Sequence, residues 1–278
     1  MSAPLKPGYH FHVDKRVAAS SYEMPSLDIY HDYYGVSYIV SGDRKFITPH
    51  MVGILHAGDV GMTPKDVYHR SSFLSDKPYV RFLVKFTPAM AKDIIALIGQ
   101  EAFDTLYELP VYHFTTETQT VLYQIFCDML TEFNRYDAYS EHILKGLLLR
   151  LFITILREHI SVNTPDMIID KKDQIVMDII DYVEHHFDTD PSLETIARHF
   201  YLSPSYFSKL FVSEFGIKYS TYLTKVKLNC ALNLLASTSL SISEIALRCG
   251  FSNGNYFCDV FKKDIGGSPK QFRKGITK

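Results

Sequence analysis

Only four cysteines, Cys127, Cys230, Cys249 and Cys258, occur in 278 residues, with no CxxC spacing and no Cys/His ligand pattern. That excludes a zinc finger or ribbon and a disulfide framework. Three of the four fall on predicted helices at positions where small apolar residues pack, so they read as reduced structural thiols. Long apolar runs are missing too: no stretch approaches the ~18 uninterrupted apolar residues of a membrane helix. Residues 1–12 contain prolines and no continuous apolar core of a signal peptide. A cytoplasmic protein with no membrane partner is expected. The chain also lacks a Gly-rich phosphate loop, a nucleophile elbow and an HExxH motif. With those signatures go the usual marks of an enzyme, and neither cofactor nor catalytic residue is expected.

A strong net charge is absent as well. The formal value is -2, which by itself argues against a nucleic-acid partner, but the charge is divided unequally. Residues 1–190 hold 17 Lys+Arg against 26 Asp+Glu, and residues 191–278 hold 12 against 5. The basic end supplies a local attraction for phosphate. Eleven of the 12 histidines lie in the acidic part. Two domains follow from this contrast.

What the basic end contains is one helical pattern written twice, at 193–211 and again at 242–261. In the first copy Leu193, Ile196 and Ala197 share a helical face, Leu202-Ser203 makes a turn, and Tyr206, Phe207, Leu210 and Phe211 form the apolar stripe of a second helix. In the second copy Ile242, Ile245 and Ala246 are the first face, Cys249-Gly250-Phe251-Ser252 the turn, and Tyr256, Phe257, Val260 and Phe261 the next stripe. Gly250 suits a positive φ. Each copy is a helix-turn-helix, and a pair of them on one chain is a clamp for double-stranded DNA. A connecting helix over 219–236 would be about 27 Å long, comparable with the ~34 Å between major-groove faces one turn apart.

The front of the chain is different. From 28 to 86, short stretches rich in Tyr, Val, Ile and Phe are punctuated by Ser41-Gly42-Asp43, Thr48-Pro49, Ala57-Gly58-Asp59 and Thr63-Pro64. This predicts an antiparallel β-barrel or sandwich able to hold one small ligand. Helical periodicity starts at Thr87-Pro88, where Thr can cap and Pro can occupy the first turn, and two longer helices are predicted over 117–135 and 140–159. The second carries a wide double stripe that includes Leu144, Leu148, Leu151 and Ile155. Burial against the preceding helix and a subunit interface in a homodimer are both readings of it. Residues 161–172 have no period and read as a linker. The fold class is therefore two-domain α+β: 1–160 an antiparallel β-barrel with helices, for sensing and dimerisation, and 173–278 an all-α double helix-turn-helix domain.

Tyr182-Val183, Gly216, Tyr222-Leu223, Ala231, Leu234-Leu235, Phe261-Lys262-Lys263, Gly267, Pro269 and Arg273 stand in order with the two motifs. Over about 100 residues the chain resembles the AraC/XylS transcription regulators. The resemblance implies a seven-helix domain with both recognition helices in successive major-groove segments, and RNA polymerase as a partner if the protein activates. On the first recognition helix the stripe leaves Ser205, Ser208 and Lys209 outward as base and phosphate contacts; on the second, Gly254, Asn255, Cys258 and Asp259 are the outward set. Two positions depart from the family. Asp259 stands where a basic residue is common, and Lys227, on the connecting helix, where arginine is common.

The front domain resembles a cupin through Ile29-x-His31-x3-Gly35-x6-Gly42 and Gly58-x5-Pro64-x-Asp66-x2-His69. Metal-binding cupins have His and Glu where this chain has Ile29 and Gly35. His31 and His69 alone rarely suffice for a metal site, so none is expected and the two histidines become hydrogen-bonding groups in an effector pocket. Alternation along 33–39 places Tyr33, Gly35, Ser37 and Ile39 on the face of His31. Tyr33, Ser37 and Arg44 complete the effector set, with Tyr9-His10-Phe11-His12 as an N-terminal arm. A sugar is the favoured effector class, because polar and aromatic groups suit it and many family members sense sugars. The competing readings are a metal-dependent cupin enzyme fused to a DNA-binding domain and a ligand-independent regulator.

Overall fold

Alternation along the front strands becomes two antiparallel sheets with unlike faces. The computed structural model describes residues 8–18, 28–29, 33–48, 52–74, 78–159 and 171–276, and the chain divides into two compact units, Met1–Asp170 and Lys171–Lys278. In the first unit the strands are β1 (Phe11–Ala18), β2 (Asp28–Ile29), β3 (Tyr34–Ser41), β4 (Arg44–Ile47), β5 (Val52–Leu55), β6 (Val60–Thr63), β7 (Tyr68–Phe73), β8 (Tyr79–Phe86) and β9 (Val111–Tyr112). They form a five-stranded sheet, β1-β8-β3-β6-β9, and a four-stranded sheet, β2-β7-β4-β5. Among the described residues these are two open sheets, not the closed barrel expected. Phe11 and His12, expected on an arm, begin β1, which pairs with β8 from Phe11↔Phe86 to Ala18↔Tyr79. His10, just before it, joins its ring Nδ1 to Thr87 Oγ1 at 2.9 Å.

One face of β3 carries Val36 and Tyr38 into the main core, beside Phe82, Val84 and Phe86 of β8. The other carries Ile39 into a smaller cluster built from both sheets, with Phe46, Leu55, Tyr79 and Val111. Four helices cover the main core: α1 (Pro88–Ile98), α2 (Gln100–Thr105), α3 (Thr116–Asn134) and α4 (Ser140–His159). The cap expected at Thr87 is present, its side chain accepting from the Met90 N–H with Pro88 in the first turn. Short α2 and β9 had no periodic signal.

The stripe on α4 resolves against the interface reading. Leu144, Leu148, Leu151 and Ile155 are each 0% exposed within the single chain and belong to the main core. The helix is wide in apolar residues because α3 lies on one side of it and the sheet and α1 on the other, so these three leucines and one isoleucine have no surface to offer a second chain. At its start, Ser140 Oγ donates to Glu132 Oε1 at 2.6 Å, and Arg135 donates to Glu132 Oε2.

The second unit is all helix. It comprises α5 (Lys171–His186), a 3-10 turn (Phe187–Thr189), α6 (Leu193–His199), α7 (Pro204–Phe215), α8 (Tyr219–Ser237), α9 (Ile242–Arg248), α10 (Gly254–Ile265) and α11 (Pro269–Ile276). Helix α5 opens inside the segment expected as linker, with Lys172 paired to Glu214 on α7 at 2.5 Å. Side-chain caps mark the repeat: Ser192, Ser203, Ser241 and Asn253 each accept from the N–H three residues on, and Ser241 forms a capping box with Glu244. Gly216 and Gly266 close α7 and α10 in the left-handed region, at φ 68° and 87°.

Candidate nucleic-acid interface

Each recognition helix buries one side and leaves the other to solvent. On α7, Phe207, Leu210 and Phe211 are buried, and on α10, Phe257 and Phe261 are. Ser205 and Lys209 are exposed with Ser208 half-buried beside them; Asn255 and Asp259 are exposed with Gly254 and Cys258 half-buried. The structure therefore presents both expected sets outward, near the N-terminal ends that enter a groove in a helix-turn-helix.

Two residues placed in the apolar stripes belong instead to the outward faces. Tyr206 is 49% exposed and Tyr256 51% exposed. They occupy the same place in the two copies, three residues after the caps Ser203 and Asn253 whose side chains receive their N–H groups. That cap-to-tyrosine spacing was the available signal; counting every aromatic at helical spacing as core obscured it. Each tyrosine carries a hydroxyl donor and a flat apolar ring on a reading face.

Lys227, where arginine is common in the family, faces the interior of the unit. It is 5% exposed, and its Nζ donates to Asp190 Oδ1 and to the Gly250 carbonyl, each at 2.6 Å. Asp190 leads into the first motif and Gly250 is the turn of the second, so the connecting helix holds both. Gly250 has φ +72°, and a Cβ there would stand 2.6 Å from the Asp188 carbonyl oxygen. The turn of the first motif is open by comparison: Tyr201, at φ 55°, is 98% exposed. Tyr219, at the start of α8, donates to the Pro191 carbonyl at 2.7 Å, and burial pushes its phenol well above the ordinary tyrosine range.

In the first unit the expected effector residues sit as follows. His31 lies outside the described residues. Tyr33 is met by Lys85, which is 0% exposed; the ammonium donates to the Tyr33 hydroxyl at 3.0 Å and stands 4.3 Å from the ring centre. Ser37 donates to the Gly61 carbonyl at 3.4 Å. Arg44 is 1% exposed, donates to Ser71 Oγ and the Ser71 carbonyl at 3.1 Å, and stacks 4.5 Å over Tyr79. His69 is 2% exposed with its ring 5.9 Å from Phe46. Tyr33 and Lys85 are thus brought together, and Arg44, held by Ser71 of its own sheet, reaches the other sheet at Tyr79. Lys85 was missed by sequence, although its pairing opposite Gly35 puts it on the face that the alternation assigns to Tyr33 and Ser37. Among the described residues, no group of three or more His, Cys, Asp or Glu side chains is arranged to hold a metal ion, and no helix is long and apolar enough to cross a membrane.

Comparison with known proteins bears on the second unit above all. A helix-turn-helix domain family matches residues 196–275. The regulatory protein PocR of Salmonella typhimurium is 38% identical over 96 residues, covering 34% of this chain and 32% of that protein. The HTH-type transcriptional activator RhaR of Mannheimia succiniciproducens is 27% identical over 162 residues, 58% of this chain and 57% of that protein. Among solved structures, the C-terminal domain of AraT, a response regulator from Geobacillus stearothermophilus, shares 38% identity, with 38% of this chain and 88% of that one covered and a TM-score of 0.37. The chain spans about a third of the length of curated relatives such as PocR.

Proposed function

We propose that the chain is a transcription regulator of the AraC type, as its matching helix-turn-helix domain and its similarity to HTH-type transcriptional activators support, and that it binds specific sites on double-stranded DNA under the control of a small organic effector held by its front unit. The observation that carries the DNA part is the duplicated motif whose two outward faces, Ser205, Ser208 and Lys209 on α7 and Gly254, Asn255, Cys258 and Asp259 on α10, are open to solvent. Lys209 serves as a phosphate contact and Asn255 as a base reader, since a carboxamide can pair with an adenine edge. Selection of binding sites from random duplexes tests this. Lys209→Ala should weaken every site, whereas Asn255→Ala should relax preference at one base pair, by roughly 1–3 kcal/mol of discrimination. An unchanged motif for Asn255→Ala removes that residue as a reader.

The effector site is assigned to the polar groups of the front unit, Tyr33, Ser37, Arg44, Lys85 and His69; His31, outside the described residues, completes the set expected from the sequence. Its hydroxyl, imidazole and cationic donors together with tyrosine rings suit a sugar. A panel of sugars and small acids tests the assignment through the melting temperature, because a ligand that binds only the folded chain raises it. The reading further places the protein in the cytoplasm as a homodimer, with RNA polymerase as partner if it activates. Pairing enlarges the DNA footprint through effective concentration, and Leu144, Leu148, Leu151 and Ile155, buried within the single chain, do not supply its seam.

A further inference from the structure

The second unit contains a cleft of about 390 Å³ between its two helix-turn-helix motifs. One wall is the start of α6 with the outer side of α7, where Ser208 stands; the floor is the first half of α8, with Lys218, Ser220 and Thr224; the other wall is the turn after α9 and the start of α10, with Ser252 and Tyr256. The rims of the cleft coincide with the reading faces. Ser208 adjoins Lys209 on α7, and Tyr256 adjoins Asn255 on α10. A surface that turns α7 and α10 toward successive major-groove segments must lay this cleft over the stretch of duplex between them, where a sugar–phosphate strand crosses.

The lining has the chemistry for that strand. Exposed Lys218, Ser220 and Ser252 offer an ammonium and two hydroxyls, the donors that contact phosphate oxygens without reading sequence. Thr224 is different, since its hydroxyl already donates to the Ser220 carbonyl at 2.8 Å. The one carboxylate on the rim, Asp190, is matched by the Lys227 ammonium at 2.6 Å, so it does not leave a bare negative charge facing phosphate.

We propose that this cleft seats the DNA strand running between the two base-reading helices, with Lys218, Ser220 and Ser252 as its phosphate contacts. The proposal rests on the DNA-binding reading above and adds to it a sequence-independent anchor. Because Lys227 fixes both walls to α8, the anchor also sets the spacing between the two segments read.

The test uses the full chain and a duplex that wild-type protein enriches from a random pool, ethylated at its phosphates. Interference is expected at phosphates between the two base-specific segments. Lys218→Ala should weaken binding to this duplex and to an unrelated one by the same factor, and reduce the slope of log affinity against log salt by about one. Ser220→Asp, which puts a like charge against the strand, should cost roughly 10-fold or more on both duplexes, while Ser220→Ala, which only removes one donor to phosphate, should cost roughly a few-fold on both; the melting temperature of each variant shows that it folds. Interference confined to the flanks of the site, or wild-type affinity and salt slope for folded Lys218→Ala, would overturn the cleft contact and leave DNA binding standing. Failure of the wild-type chain to enrich any duplex would overturn both.

Discussion

Lys227 and Gly250 are joined Nζ to carbonyl oxygen at 2.6 Å, and the contact fastens the long connecting helix to the turn of the second helix-turn-helix. The same ammonium holds Asp190, ahead of the first motif, at 2.6 Å. One buried side chain therefore fixes the relation of the two motifs. Lys227→Met keeps much of the stem but deletes the donors. A hydrogen bond from a charged group contributes about 1.5–3 kcal/mol, and the exposure of Asp190 places the expected loss toward the lower figure. Urea unfolding measures it, and affinity for a full DNA site should fall by more than affinity for a half-site.

The two turns should respond in opposite ways to substitution. A Cβ on Gly250 would meet backbone atoms of Asp188 and Phe187 at 2.6–2.8 Å, with φ at +72°. Gly250→Ala is therefore strained twice, by sterics and by dihedral, and should lower the melting temperature clearly. Tyr201 holds φ 55° on a fully open surface, where left-handed backbone costs an ordinary residue about 1–2 kcal/mol. Tyr201→Gly should leave the melting temperature unchanged or raise it.

Leu148 and Leu151 are sealed in the first unit. Leu148→Ala should destabilise that unit by about 2–5 kcal/mol, through lost transfer energy and the cavity left behind, and Leu148→Glu should prevent it from folding. A folded Leu148→Glu chain that has merely lost self-association would restore the interface reading of α4.

Much of the second unit was legible in the sequence because its signals are local. Serine and asparagine caps, glycine stops and a stripe that repeats with one extra turn residue in the second copy all lie within a few positions of the elements they define. The wide stripe of α4 was ambiguous for a physical reason: periodicity reports that a face is covered but not by what, and α3, α1 and the sheet cover this one. The part played by Lys227 was not legible because its partners, Asp190 and Gly250, come from loops distant in sequence. Tyr206 and Tyr256 misled in the other direction, being apolar enough to count as core while standing at the cap-proximal end of their helices. In the front unit, alternation assigned the two faces of β3 correctly, yet nothing in the composition distinguished two open sheets from a closed barrel.

The first unit should also show an acid limit. The Ser140 hydroxyl and the Arg135 guanidinium both donate to Glu132 and hold its carboxyl below the usual glutamate range. A depressed folded value means that the contribution is complete above the unfolded glutamate value, near pH ~4.3, and declines as pH falls below it through the folded value. Glu132→Gln should therefore flatten the acid side of the melting-temperature profile, between about pH 5 and 3, and leave its neutral side parallel to wild type. Identical slopes on the acid side would remove Glu132 from the account.

The central claim is that the basic, duplicated second unit grips DNA through both motifs. Titrating the full chain against a selected duplex at several salt concentrations tests it most directly. The expected result is an affinity that falls linearly on a log–log plot with salt, with a slope of several phosphate contacts, and that drops when either Lys209 or Asn255 is replaced by alanine. An interaction that is absent, or that salt does not weaken, would contradict it.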